Sequence, residues 1–121
     1  MSYLRRDHQP QRGAAAEQLA LAHLQVQGLT LIARNYRCRM GEIDLIMRDG
    51  DTTVFVEVRL RGRSAFASAA ESVDARKQAR ISGAAHHYLM GKPDLPCRFD
   101  CVLLSRLDAD GIEWLRAAFT L

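Results

Sequence analysis

Hydrophobic and polar positions change period several times along this chain, and each change marks an element. Residues 12–27 are rich in Ala, Leu and Gln and contain no Pro, a composition that favours helix, and Gly28 is a natural stop. Leu29 to Tyr36 is apolar enough for a short strand, and Arg37 to Gly41 makes a basic connection. From Glu42 to Arg48 the pattern alternates, with Ile43, Leu45 and Met47 on one face and Glu42, Asp44, Ile46 and Arg48 on the other. Asp49-Gly50 signals a hairpin. Thr53 to Arg61 alternates again, setting Val54, Val56, Val58 and Leu60 against Phe55, Glu57, Arg59 and Arg61. A Gly/Ser/Arg loop follows from Gly62 to Ser68. A second helix is predicted from near Asp74 to Met90, with Ile81, Ala84, Ala85, Tyr88 and Leu89 as its apolar stripe. Gly91 ends it and Pro93 stops any continuation. Arg98 to Leu104 reads as a strand, Asp108 to Gly111 as a turn, and Ile112 to Phe119 as a last strand.

The order is therefore α-β-β-β-α-β-β. It predicts an α/β fold, a single mixed β-sheet with flanking helices. Met1 to Gln11 is polar and is expected to form a flexible N-terminal tail, with residues 12–121 as a single domain. Length and composition agree: 121 residues, 48% hydrophobic and 26% charged, describe one ordinary globular domain. The apolar runs fall far short of the roughly 18 residues a membrane span needs. Met1 to Arg12 holds no apolar signal core. The expectation is a soluble, cytoplasmic protein with no membrane partner. Cys38, Cys97 and Cys101 are odd in number and lack a Cys-x-x-Cys, which suits a reducing compartment and buried structural thiols better than disulfides or zinc.

Charge sharpens the picture through its placement. The net charge is only +3, but 15 of the 17 basic residues are Arg, the side chain suited to forked phosphate contacts, although codon bias supplies Arg as well. Residues 1–41 carry six Arg against Asp7 and Glu17, whereas the remainder carries eleven basic and twelve acidic residues. Arg34, Arg37, Arg39, Arg48, Arg59, Arg61 and Arg63 flank the acidic hairpin on both sides. That is the layout of a phosphate-backbone binder, and equally of a set of solvated loop arginines.

The hairpin carries the candidate chemistry. Asp44 and Glu57 each sit mid-strand among Val, Ile and Leu, where charge is uncommon. If the loop is the four residues Asp49 to Thr52, Arg48 pairs with Thr53 and Asp44 lies opposite Glu57. If it is only Asp49-Gly50, Asp44 lies opposite Phe55 and diagonal to Glu57. Either register puts both carboxylates on one face, roughly 5 to 8 Å apart. Two such carboxylates repel unless a divalent cation, a bound proton or a nearby Arg neutralises them. Arg59 shares the face with Glu57. An acid and a base on one strand with an Asp on its neighbour can form a metal-dependent phosphodiester-cleaving site, or a solvated sheet face with cross-strand salt bridges. Glu17 lies on the stripe of Ala20, Leu21 and Leu24, so its carboxyl can reach the sheet edge or stay in solvent. Lys77 aligns with Ile81, Ala84 and Tyr88, so its ammonium can reach inward or lie in water.

At these residues the chain resembles a known family. The strings Gly41-Glu42-Ile43-Asp44-Leu45-Ile46 and Val54-Phe55-Val56-Glu57-Val58 look like those of the YraN-like family of small uncharacterised bacterial proteins. Gly13 and Glu17 ahead of Gly28, Arg34-Asn35-Tyr36, Lys77-Gln78, Pro96-Cys97-Arg98-Phe99-Asp100 and the ending Ala118-Phe119 agree. The family is similar to archaeal Holliday-junction resolvases and, more broadly, to restriction-endonuclease-like nucleases. The resemblance implies that fold, and an endonuclease acting on branched or structured DNA, with a second copy of the chain as a candidate partner in a homodimer. It implies catalytic roles for Glu17, Asp44, Glu57 and Arg59, with Mg²⁺ or Mn²⁺ on Asp44 and Glu57. Arg37, Arg39, Arg61, Arg63 and Lys77 are the expected nucleic-acid contacts. The sequence departs from the Glu-x-Lys pattern of those nucleases at Arg59, where Lys is expected. Arg stabilises developing charge but does not exchange protons, so a non-catalytic nucleic-acid-binding protein on a nuclease scaffold is the alternative.

Overall fold

The computed structural model describes residues 8–60 and 73–120. The elements run α1 (His8–Val26), β1 (Thr30–Cys38), β2 (Gly41–Asp49), β3 (Thr52–Leu60), α2 (Ala75–Leu89), β4 (Cys97–Leu104), a short 3-10 turn (Ala109–Gly111) and β5 (Ile112–Phe119). The five strands form one sheet in sequential order, β1-β2-β3-β4-β5. The β3–β4 pair is parallel and the other pairs are antiparallel. The α/β class and the single mixed sheet are those the alternation predicts, and they are compatible with a restriction-endonuclease-like fold.

Helix α1 starts at His8, earlier than composition suggests, and takes in part of the expected tail. Pro10 does not oppose this, because the first turn needs no backbone N–H partner. The helix ends through Gly28, whose φ of 102° lets its N–H reach the Gln25 carbonyl while Leu29 N–H reaches that of Leu24. At α2, Asp74 is the N-cap and accepts the Lys77 N–H at 2.8 Å. The expected loop Gly62–Ser68 and the end of the third strand at Arg61 lie outside the described residues.

The two helices cover the two faces of the sheet. Ala16, Ala20, Leu21 and Leu24 of α1 pack on Leu45, Met47, Val54 and Val56. Ile81, Ala84 and Ala85 of α2 pack on Ile43, Ile46, Phe55 and Phe99. Each fully buried Leu or Phe contributes about 1.5–3 kcal/mol over its exposed state. Between α2 and the β1–β2 turn the approach is close: a Cβ on Gly41 would lie 2.3 Å from the Arg80 carbonyl oxygen.

Strict alternation fails in β2. Ile43 faces α2, whereas Leu45 and Met47 face α1, so the expected single face for these three residues is incorrect. The β1–β2 ladder passes from Arg34↔Leu45 to Tyr36↔Ile43 without pairing Asn35 and Asp44. Asn35 there has a φ of 52°, a left-handed conformation that Asn tolerates better than most residues. The strand rotates at the position of the candidate acid.

Candidate acidic site between the hairpin and the second helix

The hairpin register is the one that aligns the acids. Arg48 pairs with Thr53 and Leu45 with Val56, which carries Asp44 into line with Glu57. The ladder also gains Asp49↔Thr52, so Gly50 and Asp51 form the turn, one residue later than Asp49-Gly50. Past Leu45 the Asp44 side chain takes over, its Oδ2 accepting the Val58 N–H at 2.8 Å. Asp44 and Glu57 lie close enough for each to shift the other's carboxyl.

The pair lies on a covered face. Glu57 is 4% exposed, and its strand neighbours Phe55 and Cys101 are buried. A solvated sheet face is therefore not what this acid occupies. Burial first, and then the Asp44 charge, push the Glu57 carboxyl up to about 7, against the opposing pull of Lys77. Burial also raises Asp44, although the Val58 N–H, Glu57 and Lys77 hold it back. Burial, followed by the nearby Glu57 charge, raises the Cys101 thiol to about 12, so this cysteine is a protonated wall of the site.

Two cations reach Glu57. Lys77 Nζ lies 3.3 Å from Oε2 and Arg59 Nη1 lies 3.6 Å from the same oxygen. Of the three neutralisers available to such a pair, basic side chains are thus present. Lys77 reaches inward from the first turn of α2 as its alignment allows.

Glu17 approaches the site from α1. It is half-buried, and its carboxyl is raised by burial and by the Asp44 charge, while a hydrogen bond with Asn35 and the Arg34 charge lower it. The same Asn35 that turns the strand therefore also meets the helix acid. That link was missed from sequence: Arg34-Asn35-Tyr36 stood out as a motif, but only the left-handed backbone explains the Asn. Arg34 itself donates to Gln18 Oε1 at 3.3 Å.

The expected phosphate contacts separate. Arg37 is exposed and pairs with Glu42 at 3.4 Å. Arg39 lines a groove of about 910 Å³ with Met40, Gly83, His86, His87 and Met90, between the β1–β2 turn and the C-terminal half of α2. None of the acidic residues lines that groove. Arg61 and Arg63 lie outside the described residues.

Among the described residues no three His, Cys, Asp or Glu side chains gather closely enough to hold a metal by themselves. Asp44 and Glu57 alone suit a hard cation that keeps most of its water. Mg²⁺ is commonly bound by one or two carboxylates, with water and substrate phosphate completing its shell. Asp44 commits Oδ2 to the backbone, and the two neighbouring carboxyls offer the hard oxygen donors that fit such an ion. No helix among the described residues is long and apolar enough to cross a membrane.

Fold and site define an α/β domain with one mixed sheet, helices on both faces and an acid pair, Glu57 buried and Asp44 half-buried, joining two strands to a helix. Within that class, residues 16–104 match the uncharacterised protein family UPF0102. A UPF0102 protein of Nitrosomonas europaea is 57% identical over 109 residues, covering 89% of this chain and 92% of the relative. One from Methylobacillus flagellatus is 54% identical over 110 residues, covering 91% and 97%. One from Pseudomonas entomophila is 51% identical over 112 residues, covering 88% and 91%. The chain belongs to this family, the YraN-like family that the hairpin motifs resemble.

Proposed function

We propose that the protein is a metal-dependent endonuclease acting on branched or structured DNA. The observation that carries this is the Asp44–Glu57 pair: two neighbouring carboxyls, both shifted up by burial, with Lys77 and Arg59 beside them. Asp44 and Glu57 would hold Mg²⁺ or Mn²⁺. A divalent cation there supplies polarisation of a phosphate and a water acidic enough to attack it. Glu17, raised by its burial and by Asp44, lies at the rim of the pair and can accept a proton. Arg59 and Lys77 offset charge on the phosphate oxygens. Arg37 and Arg39 meet the backbone away from the cleaved bond, and the sequence places Arg61 and Arg63 just after β3 for the same role.

Purified protein with Mg²⁺ or Mn²⁺ should nick a four-way junction, and Asp44→Asn should reduce nicking at least about 100-fold, since the interaction lost acts on the transition state. Nicking by Asp44→Asn at the wild-type rate would exclude this site. A specific observation favours a second reading, a nucleic-acid-binding protein without turnover: Arg59 occupies the strand position two residues after Glu57 and ion-pairs with it. On that reading Asp44→Asn binds junction DNA as well as or better than wild type, no substrate is cut, and Arg59→Lys gains activity.

A further inference from the structure

Glu57 has two cationic neighbours of different kinds. Arg59 is fixed on the same strand, two residues away, and its guanidinium stands 3.6 Å from Oε2. Lys77 comes from α2 on a flexible four-carbon stem and stands closer, at 3.3 Å. Its backbone is pinned, because the Asp74 cap holds the Lys77 N–H at 2.8 Å. Its ammonium is not: among the described residues Glu57 is the one acid within ion-pair distance of it, and although Lys77 and Arg59 are equally exposed at 38%, the Lys77 stem is the more flexible.

We propose that Lys77 is an exchangeable counter-ion of the acid pair. With no divalent cation present its ammonium neutralises Glu57. When a divalent cation is bound by Asp44 and Glu57, Lys77 swings out on its stem and meets a phosphate oxygen of the nucleic acid. Arg59 stays in place in both states. The proposal rests on the metal reading above and adds a coupling to it: one positive charge is released from the carboxyls as another arrives and becomes available to the polyanion. Two cations crowded on one buried carboxylate oppose each other, so the Lys77 ion pair and the metal compete for it.

Mn²⁺ titration by calorimetry at fixed pH, without DNA, tests this. Lys77→Met should bind Mn²⁺ about tenfold more tightly than wild type, because the competing charge is gone. Lys77→Arg, which keeps the charge, should stay near wild type, and it guards against a folding defect in the Met variant. Arg59→Met should change the affinity less than Lys77→Met does. Binding to a four-way junction in Ca²⁺, read by fluorescence anisotropy, should weaken in Lys77→Met, with a salt slope shallower by about one. Mn²⁺ affinity in Lys77→Met equal to or below wild type, with binding still abolished by Asp44→Asn, would overturn the exchange and leave the metal site standing. No Mn²⁺ binding by wild type or Lys77→Met at millimolar metal would overturn both.

Discussion

Two carboxylates are buried on neighbouring strands of this sheet, and they are treated in opposite ways. Asp100 on β4 is 0% exposed and surrounded by fixed donors. Arg98 Nε lies 3.0 and 3.2 Å from its two oxygens, Trp114 Nε1 donates at 3.0 Å and the Ala117 N–H at 2.9 Å. The last of these exists because β5 bulges: the register shifts between Phe99↔Phe119 and Cys101↔Leu115, and Ala117 takes a φ of 51°. A non-Gly residue in that region costs about 1 kcal/mol or more, offset here by satisfying a buried charge. Glu57 is almost as buried, but beside it stands a second carboxyl, and its cations approach from a half-open side. The first acid is enclosed by fixed donors. The second meets a neighbouring carboxyl and two partly exposed cations, and burial with that neighbour shifts it up.

The contrast can be broken most forcefully at Asp100. Asp100→Ala should cost about 3–5 kcal/mol in urea unfolding: it leaves Arg98 with Asp49 as its one carboxylate, at 3.0 Å, and takes the acceptor from Arg98 Nε, Trp114 Nε1 and the Ala117 N–H. A loss below about 1 kcal/mol would remove Asp100's structural role. Next is the pH response of the acid pair. The Glu57 carboxyl rises from 4.5 to about 7 on folding, so the folded chain holds more protons than the unfolded one between those values. Stability on this account is full below about pH 4.5, falls as pH rises, and is lost by the upper value, by roughly 3 kcal/mol at most. Glu57→Gln should flatten that slope over pH 5 to 7.5, and Mn²⁺ should flatten it in the wild type. An identical slope in Glu57→Gln would place the titration elsewhere. The smallest effect is expected at the rim of the Asp100 cluster. Arg116 pairs with Asp49 at 3.3 Å but is 59% exposed, so Arg116→Ala should shift the urea midpoint by less than about 0.5 kcal/mol equivalent.

The same contrast explains what could be read from the chain alone. Asp44 and Glu57 were legible together because a hairpin is local, and period-two arithmetic across one turn constrains which residues meet. Lys77 was legible as an inward-reaching candidate because it shares a helical stripe with Ile81, Ala84 and Tyr88. The Asp100 cluster was not. It joins β4 to residues of β5 and to Asp49 through a bulge and a left-handed alanine, and no periodicity encodes either. Cys97-Arg98-Phe99-Asp100 drew notice only as part of a resemblance, and its role is to fix the sheet. The rotation at Asn35 was hidden for a related reason: alternation assumes an unbroken ladder, and a single left-handed residue reverses the faces beyond it.

The pairing of β3 with β4 has a consequence for the order of assembly. β1, β2 and β3 are an antiparallel meander of near neighbours, whereas the parallel β3–β4 pair closes only after α2 has crossed over. Loop-closure entropy favours the meander as the earlier structure. Asp44 and Glu57 therefore meet before the helix delivers Lys77. During that interval Arg59 is the cation the hairpin itself supplies, and protons or metal ions in the medium take the place of the missing ammonium.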